Sequence, residues 1–497
     1  MSPSSTTLRE YSCRRSVARQ PGRRATAPPG CAQAARRHEG GEILSAPSAQ
    51  PTVRVRDLIA REEVSFRARR TRSLEMWRTA AEHISGGVAS SFQAKPPQPV
   101  FIDRGQGSRV WDVDGNEYVD FHNGFGVMLT GHAHPTVVAA VQSQLARGTH
   151  FAQPVADGAV VATELSRRFV QPQWRFTNSG TESTLDAVRI ARGFTGRDRL
   201  VKIEASYHGH HDAVLVSVEP PEALIGPVEA PVSVPMCEGI PGATVELTSV
   251  VPFNDLEALE RVFAIHSDIA AVILEPVMMN IGIVFPEPGY LDGVVELAHR
   301  HGALVIFDEV KSGVTIAPGG ATQRFGVVPD LVCLAKAIGG GLPCGAIGGR
   351  ADVMGMISDG RVAQVGTFNG NPLTMASSRA TLCEVLTPTA YAHFDALAEE
   401  LAGGLDAVIH AFGLPFHVVT AAARGCITYR REPVRNYRDY LQIDPSMAYL
   451  SWLYQSNRGV LMAPGAEENW TLSVQHSVDD VGRYVGNFRA LAEELTA

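Results

Sequence analysis

Long hydrophobic runs are missing from this sequence of 497 residues. A membrane-spanning helix needs roughly 18 uninterrupted apolar residues, and the most apolar region, 270–285, is broken by Glu275, Pro276 and Asn280. An excess of positive charge is missing too, because 44 Lys and Arg residues face 52 Asp and Glu residues and leave a formal net charge of −8. These features argue against a membrane protein and against a nucleic-acid-binding protein.

Cysteine is sparse and follows no pattern. The seven cysteines form neither a paired disulfide framework nor a metal-ligand spacing; they are Cys13, Cys31, Cys237, Cys333, Cys344, Cys383 and Cys426. We therefore expect no metal site and a reducing, cytoplasmic environment. The sequence also lacks the patterns GxxxxGK[ST] and GxGxxG, so a nucleotide-binding loop is not supported.

The composition of the chain is that of a globular protein, but its first residues differ from the rest. Hydrophobic residues make up 45% and charged residues 19% of the chain, which has room for two or three domains. The first 50 residues hold eight Arg and three Glu among Ser, Pro, Ala and Gly. We expect residues 1–55 to be a disordered extension. An organelle transit peptide is the alternative, although the amphipathic periodicity of such peptides is missing.

Apolar periodicity divides the remainder into three regions. Residues 56–125 predict a helical stretch and then a hairpin around Asp114-Gly115, a segment expected to pack with a smaller domain. In residues 126–386, helix-length segments alternate with wholly apolar strands such as ALVIFDEV (303–310). This pattern predicts a large α/β domain, with a mostly parallel sheet covered by helices on both faces. Residues 387–497 predict a smaller α+β domain.

Three stretches carry residues suited to chemistry. Lys336 stands in the apolar run LVCLAKAIGGG, where a buried ammonium is costly and a lowered pKa would give a nucleophilic amine. Asp308 ends a buried strand, where open α/β sheets place ligands, although a helix cap or a structural ion pair would also explain it. Ser179, Gly180 and Thr181 precede a helix expected to begin near Glu182 and could bind a phosphate or merely cap that helix.

The three stretches together predict one cofactor. Pyridoxal phosphate (PLP) requires a lysine that holds its aldehyde as a Schiff base, a carboxylate on its pyridine nitrogen and a cradle for its phosphate. The sequence offers the cradle, Asp308 and Lys336 in that order. We therefore predict a PLP enzyme.

Residues 308–350 also resemble the signature of the class-III PLP-dependent aminotransferases. Within that family the chain is most similar to the glutamate-1-semialdehyde aminomutase branch, from about His83 to the C-terminus. The motifs that carry the resemblance include HISGGV (83–88), WDVDGNEYVDF (111–121), GHAHP (131–135), NSGTE (178–182), YHGHHD (207–212), EPVMMNIG (275–282), GTFNGNPL (366–373) and GVLMAP (459–464).

The resemblance implies a fold, an assembly and a set of cofactor contacts. The fold would be type I of the PLP-dependent transferases, and the assembly a homodimer with shared active sites. Lys336 would be the Schiff-base lysine and Asp308 the partner of the pyridine nitrogen. The other implied cofactor contacts are Ser179, Gly180 and Thr181 at the phosphate, Tyr207 and Val310 on the two ring faces, Asn280 near the phenolic oxygen, and Thr367 at the phosphate of the partner subunit.

The substrate side departs from the aminomutase pattern. Gln93 stands where that branch has an arginine that clamps the substrate carboxylate, and an amide cannot replace this charge-assisted contact. Phe125 stands in place of a tryptophan, and the proline-containing segment 215–234 replaces a glycine-rich gate, whereas Glu468 does match an acidic residue of the branch. Loss of clamp and gate together favours transfer between two molecules.

Four functions follow from these features. The first is a ping-pong aminotransferase that moves an amino group from a donor to a carbonyl acceptor. The alternative is glutamate-1-semialdehyde 2,1-aminomutase, which would need another cation to replace the missing arginine. A PLP racemase and a non-catalytic homologue acting as a scaffold are the remaining candidates. Retention of Lys336, Asp308 and the phosphate stretch together argues against the scaffold.

Overall fold

The structure is a computed structural model, and it describes residues 52–463 and 469–497. The helices, in chain order, are α1 (Val53–Ala68), α2 (Thr71–Ala81), α3 (Asn123–Gly126), α4 (Pro135–Leu145), α5 (Ala156–Phe169), α6 (Gly180–Thr195), α7 (Gly242–Glu246), α8 (Leu256–Ile265), α9 (Tyr290–Arg300), α10 (Gly320–Phe325), α11 (Ala351–Ser358), α12 (Pro372–Arg379), α13 (Pro388–Ala411), α14 (Tyr437–Tyr440), α15 (Pro445–Asn457) and α16 (Val478–Thr496).

The strands form three sheets. They are, in chain order, β1 (Ile102–Gln106), β2 (Arg109–Asp112), β3 (Glu117–Asp120), β4 (Gln173–Thr177), β5 (Arg199–Ile203), β6 (Thr248–Val251), β7 (Ile269–Leu274), β8 (Leu304–Asp308), β9 (Leu331–Ala335), β10 (Gly345–Gly349), β11 (His417–Ala421), β12 (Arg424–Thr428), β13 (Val460–Leu461) and β14 (Asn469–Thr471).

The start of the described chain differs from the expected boundaries. Positions 1–51 of the expected disordered extension (1–55) lie outside the described residues. Helix α1 already begins at Val53, because Thr52 caps it. The helical stretch expected before the hairpin is two helices, broken between α1 and α2 at Arg70. The guanidinium of Arg70 is buried and donates hydrogen bonds to the Tyr118 hydroxyl and the Ser456 carbonyl. Arg70 therefore ties this segment to α15.

The N-terminal sheet joins distant parts of the chain. Strands β1, β2 and β3 pair in antiparallel fashion, and the turn between β2 and β3 contains Gly115 at a φ of +88°. Strand β13 then pairs in parallel with β3, with Val460 opposite Val119. The segment thus packs against C-terminal elements, while the exact domain boundaries at 125 and 386 stay a prediction.

The central sheet has seven strands in the order β4-β10-β9-β8-β7-β5-β6. Strand β10 runs antiparallel to both of its neighbours, while β9, β8, β7, β5 and β6 pair in parallel. Alternate residues of β8 enter two hydrophobic clusters: Leu304 and Ile306 pack with α6, and Val305 and Phe307 pack with α9. The fold is therefore α/β with a mostly parallel sheet covered on both faces, as the apolar strands predict.

A smaller sheet, β11-β12-β14, lies in the C-terminal part of the chain and is antiparallel. Helix α13 lies against α16 and β11, and the long side chains of Phe394, Leu401 and Phe488 are fully buried there. In the described part of the chain, every helix is too short or too polar to span a membrane.

Candidate active site

The candidate site lies at the carboxyl edge of the central sheet. Strand β4 pairs in antiparallel fashion with β10, and β10 does so with β9, so β4 runs in the same direction as β9, β8, β7 and β5. The carboxyl ends of these five strands therefore meet at one edge, where open α/β sheets bind their ligands. The residues that follow them are Ser179 after β4, Tyr207 after β5, Glu275 after β7, Asp308 at the end of β8 and Lys336 after β9.

Lys336 begins a short 3-10 helix directly after β9. Its φ of +50° is uncommon for a residue with a side chain, so the fold holds this backbone in a conformation that costs free energy. Burial, together with nearby Lys311 and Arg424, lowers the pKa of the Lys336 amine to about 7, while Asp308 and Glu275 act in the opposite direction. A substantial fraction of the amine is therefore unprotonated at neutral pH.

Asp308 is buried and held in a fixed orientation. Its Oδ1 accepts a hydrogen bond from the Val310 backbone N–H at 3.0 Å, and its Oδ2 lies 2.8 Å from Nδ1 of His208. No helix of the described chain begins at Asp308, so the helix-cap alternative does not hold. The other ring nitrogen of His208, Nε2, is buried without a hydrogen-bond partner among residues 52–463 and 469–497. The structure thus pairs His208 with the candidate catalytic carboxylate.

The expected phosphate stretch forms the start of α6. Ser179 is the N-cap, its Oγ accepts a hydrogen bond from the Glu182 N–H at 3.2 Å, and the helix begins at Gly180 rather than near Glu182. A Cβ added to Gly180 would lie 2.9 Å from the Val310 side chain, so only glycine leaves this space open. The Thr181 Oγ1 accepts a hydrogen bond from the His210 N–H at 3.3 Å. Capping and phosphate binding are compatible, because the first N–H groups of the helix still point outward.

Tyr207 and Asn280 are both held by Glu275. The Oε1 atom of Glu275 accepts hydrogen bonds from the Tyr207 backbone N–H at 3.0 Å and from the Asn280 amide at 2.8 Å. The Tyr207 ring meets the Phe92 ring edge-on, with centroids 5.9 Å apart. The pattern that could have revealed Glu275 is its position directly after an apolar strand, as for Asp308.

The substrate-side candidates come from separate segments. Gln93 is exposed, and its side chain accepts a hydrogen bond from the Ala89 N–H at 3.1 Å. Phe125 is half-buried, has a φ of +58° and lies 5.7 Å from the Phe92 ring. Glu468 lies outside the described residues.

Arg424 is a site residue that sequence reasoning missed. It begins β12, and its buried guanidinium donates to Thr471 Oγ1 at 2.7 Å and to the Phe125 carbonyl at 3.2 Å. Its Nε has no partner, and none of the side chains in the described ranges gives it a carboxylate. Burial lowers the pKa of Arg424 to about 10, so the group remains a cation. The available signal was a charged residue in the otherwise apolar strand RGCIT.

A small cavity lies beside Arg424 and Phe125. It is lined by Phe125, Lys311, Arg424, Ala463 and Asn469. The Lys311 ammonium donates to the Met279 carbonyl at 2.7 Å. Because Arg424 and Lys311 both lower the pKa of Lys336, two positive charges face the candidate catalytic amine.

Thr367 is on the surface of the chain, in a loop whose Asn369 side chain accepts a hydrogen bond from the Asn178 amide at 2.9 Å. It is exposed in the loop before α12, beside Val365 and Phe368, whose exposed fractions are 84% and 59%. Its expected role, contact with the phosphate of a partner subunit, stays a prediction. Across the described ranges, no three His, Cys, Asp or Glu side chains are grouped so as to hold a metal ion.

Comparison with known proteins gives a family and full-length relatives. The model of the family "Aminotransferase class-III" matches residues 91–414. Glutamate-1-semialdehyde 2,1-aminomutase from Nitratidesulfovibrio vulgaris is 41% identical over 417 residues, which cover 82% of this chain and 96% of that protein. Glutamate-1-semialdehyde 2,1-aminomutase 2 from Brevibacillus brevis is 38% identical over 424 residues, covering 84% and 97%.

Solved structures with the same fold carry two different activities in their names. A glutamate-1-semialdehyde aminomutase from Pseudomonas aeruginosa matches with a TM-score of 0.81 at 32% identity, covering 90% of this chain and 99% of that one. An omega-transaminase from Sphaerobacter thermophilus matches with a TM-score of 0.80, also at 32% identity, covering 86% and 98%. The fold alone therefore does not separate the two activities.

Proposed function

The chain belongs to the class-III aminotransferase family, and on this premise we propose that it moves an amino group from a donor to a carbonyl acceptor. The cofactor is pyridoxal 5′-phosphate: the family indicates it, and similar solved structures include a transaminase with PLP bound and an aminomutase in complex with PMP. A ping-pong order follows from having one site for both substrates, because the carbonyl product of the donor must leave before the acceptor binds.

The residues at the sheet edge fit this cofactor. The donor set supplies an amine of lowered pKa at Lys336, an oriented carboxylate at Asp308 and hydroxyl groups at the N-terminus of the long helix α6. Gly180 has no Cβ, so the space between it and the Val310 side chain stays open. This space leaves room for a flat ring beside the start of α6. The placement of Lys336, Asp308 and the start of α6 at one edge of the central sheet is the observation that carries the proposal.

Each residue has a defined task in the proposed reaction. Bound PLP supplies a ring that accepts the electrons left when a proton leaves the substrate carbon. Lys336 would hold the cofactor by its aldehyde, and its Nζ would carry the proton that leaves the substrate carbon. Asp308, oriented by His208, keeps the ring nitrogen protonated. Ser179 and Thr181 bind the phosphate with the N-terminus of α6.

Arg424 supports a substrate that carries a carboxylate. A buried guanidinium without an acidic partner among the described side chains is expensive, and a substrate carboxylate would offset its charge through charge-assisted hydrogen bonds. The arginine expected near residue 93 is absent, so Arg424 would replace it from a different segment of the chain. The proposed substrates are therefore amino and oxo compounds with a carboxylate, rather than simple amines.

The aminomutase is a second candidate that specific findings favour. The curated relatives at 38% and 41% identity carry that name, and Arg424 supplies the additional cation which that reaction would need. Gln93 and the changed segment 215–234 favour transfer between two molecules instead. The relatives and Arg424 thus favour the aminomutase, and Gln93 with the changed segment 215–234 favours the transaminase.

One pair of assays separates the two candidates. Purified, PLP-loaded protein is supplied with glutamate 1-semialdehyde alone, and 5-aminolevulinate is measured. The same protein is then given a panel of carboxylate-bearing amino donors and oxo acceptors, and each keto product is measured. We expect keto product from the panel and little 5-aminolevulinate. Rapid 5-aminolevulinate formation without an acceptor would overturn the first proposal in favour of the second, and no turnover in either assay would contradict both.

We also infer a homodimer in which Thr367 reaches the partner site. The loop that carries Thr367 exposes Phe368, whose ring meets the His150 ring at 4.9 Å, and Phe151 nearby in sequence is 48% exposed. These side chains form an apolar surface that a second copy would cover. Light scattering of the purified protein should give twice the mass of the chain, and a monomeric, fully active protein would contradict this assembly.

A further inference from the structure

A single peptide group near the site is held at both ends by buried charged side chains. This is the peptide that joins Ser206 to Tyr207. Its carbonyl oxygen accepts a hydrogen bond from Nζ of Lys202 at 2.9 Å, and its N–H donates to Oε1 of Glu275 at 3.0 Å. A basic and an acidic side chain therefore bind opposite ends of the same peptide dipole.

Lys202 is an unusual residue for its position. It lies on β5, pairs in register with Ile273 of β7, and has no exposed surface. The neighbouring residues of β5 are Val201 and Ile203, both fully buried, so an apolar side chain at position 202 would fit the strand. A buried ammonium is expensive, and it is retained here with bonds to two backbone carbonyls, those of Ser206 and Val216.

Glu275 approaches the same peptide from the neighbouring strand. It lies one residue past β7, and its second oxygen, Oε2, accepts from the Met279 N–H at 3.0 Å. Burial lowers the pKa of Lys202 to about 7, and Glu275 acts in the opposite direction, so Glu275 favours the charged form of Lys202. The two side chains thus offset each other's charge. Lys202 holds part of the loop after β5, and Glu275 holds parts of the loops after β5 and β7.

The peptide between Ser206 and Tyr207 determines the positions of two consecutive side chains of the site. Tyr207 is the expected aromatic partner of the cofactor ring, and His208 orients Asp308. Rotation of the peptide before them would turn both side chains, since backbone and side-chain directions are coupled. We propose that Lys202 and Glu275 are a pair of positioning residues, which fix Tyr207 and His208 relative to the cofactor by holding the 206–207 peptide at both ends.

The first experiment needs no substrate and no cofactor. Hydrogen exchange of residues 204–217 is measured in the apo-protein for wild type, Lys202→Met and Glu275→Gln. We expect exchange of the Tyr207 amide to rise by about 10-fold or more in either variant, because one end of its peptide is released. Unchanged exchange in both variants would overturn the proposal.

The second experiment reads the cofactor environment. Circular dichroism of bound PLP and its dissociation constant are compared in the same variants. We expect a changed visible signal and about 10-fold weaker binding in each single variant. The double variant should lose less than the two single variants combined, because it leaves no unpaired buried charge.

A matched control separates positioning from stability. Arg168 on α5 is another buried cation whose guanidinium binds two backbone carbonyls, those of Leu382 and Leu386, away from the sheet edge. Arg168→Met should lower the unfolding temperature yet leave the cofactor signal and the exchange of residues 204–217 unchanged. If Lys202→Met behaves like Arg168→Met, the pair is structural only and the proposal fails.

A conservative variant keeps the test decisive if Lys202→Met does not fold. Lys202→Gln retains a donor that can reach one carbonyl, and it should show an intermediate cofactor signal and intermediate exchange. A wild-type signal in folded Lys202→Gln together with folded Glu275→Gln would contradict the proposal. These readouts do not depend on the substrate, so they stand even if the proposed transamination fails.

Discussion

The two halves of the candidate site are built differently. The cofactor half consists of residues that directly follow five strands of one sheet, with Asp308 and Lys336 on adjacent strands. The substrate half is assembled from Gln93, Phe125 and Arg424, which come from the N-terminal segment and the three-stranded sheet. The first half is fixed by the sheet itself, whereas the second can change without disturbing it. This difference explains how one scaffold can keep its cofactor and vary its substrate.

We expect the largest effect when a substitution removes the amine from the cofactor half. Lys336→Ala should lower kcat by at least about 10⁴-fold, because it removes both the attachment point and the proton carrier. Steady-state turnover on the best donor and acceptor measures this loss. Turnover within 10-fold of wild type, a margin of only about 1.4 kcal/mol in the barrier, would contradict the assignment of Lys336.

The next largest effect tests whether a buried carboxylate matters for turnover only when it lies at the carboxyl edge of the sheet. Asp308→Asn should lower kcat by about 10³-fold with the fold intact, because an amide cannot hold a protonated ring nitrogen. Asp330 offers a matched control: it is buried, lies 2.8 Å from His299, and precedes β9 at the opposite edge. Asp330→Asn should lower stability and leave kcat of the folded protein near wild type. Equal loss of kcat in both variants would remove the contrast between the two edges.

A smaller effect is expected in the substrate half. Arg424→Gln should lower kcat/KM for carboxylate-bearing substrates by about 10²-fold, which is the loss of one charge-assisted contact. Simple amines should lose far less, and cofactor affinity should change little. Arg430→Gln is the control, because Arg430 follows the same hairpin and pairs with Glu432 and Asp439. An equal loss for amines with and without a carboxylate would contradict the proposed role of Arg424.

The positions of Asp308, Lys336 and the Ser-Gly-Thr stretch at strand and helix ends could be predicted because they depend on local patterns. An apolar strand ending in Asp308, a lysine in an apolar run and a Ser-Gly-Thr helix start are each visible within a few residues. Parallel pairing then brings strand ends together whatever the loops between them do. The order of these stretches along the chain was therefore enough to predict the cofactor and the fold.

The substrate half could not be predicted in the same way. Arg424 reaches the site from a hairpin about 90 residues after Lys336 in the chain, and its neighbour Phe125 lies some 300 residues before it. Such contacts depend on long-range packing, for which a single sequence gives no local signal. The break between α1 and α2 was missed for the same reason, because it serves the distant partners of Arg70.

The smallest predicted effect concerns stability and pH in the apo-protein. The pKa of Lys336 is about 7 in the folded chain, against 10.5 as its ordinary value. The unfolded chain therefore binds more protons between these pH values, and this group costs stability fully below pH 7 and progressively less as pH rises toward 10.5. Apo Lys336→Met should be more stable than wild type at pH 6 by on the order of 2 kcal/mol, since the half-buried amine is partly screened.

Denaturant unfolding of both apo-proteins from pH 6 to pH 10 measures this difference. The additional stability of Lys336→Met relative to wild type should decrease steadily as the pH rises. A gain that is constant over this range, or a loss of stability at pH 6, would show that the Lys336 amine is not disfavoured by its surroundings.

The most direct test of the central claim is where the cofactor is attached. The sequence has four lysines, at positions 95, 202, 311 and 336, and three of them lie at or beside the carboxyl edge of the sheet. The PLP-loaded protein is reduced with borohydride, digested and mapped by mass spectrometry. The account predicts one pyridoxyl group, on Lys336. A label on Lys202 or Lys311 instead, or no label on a protein that binds PLP, would contradict it.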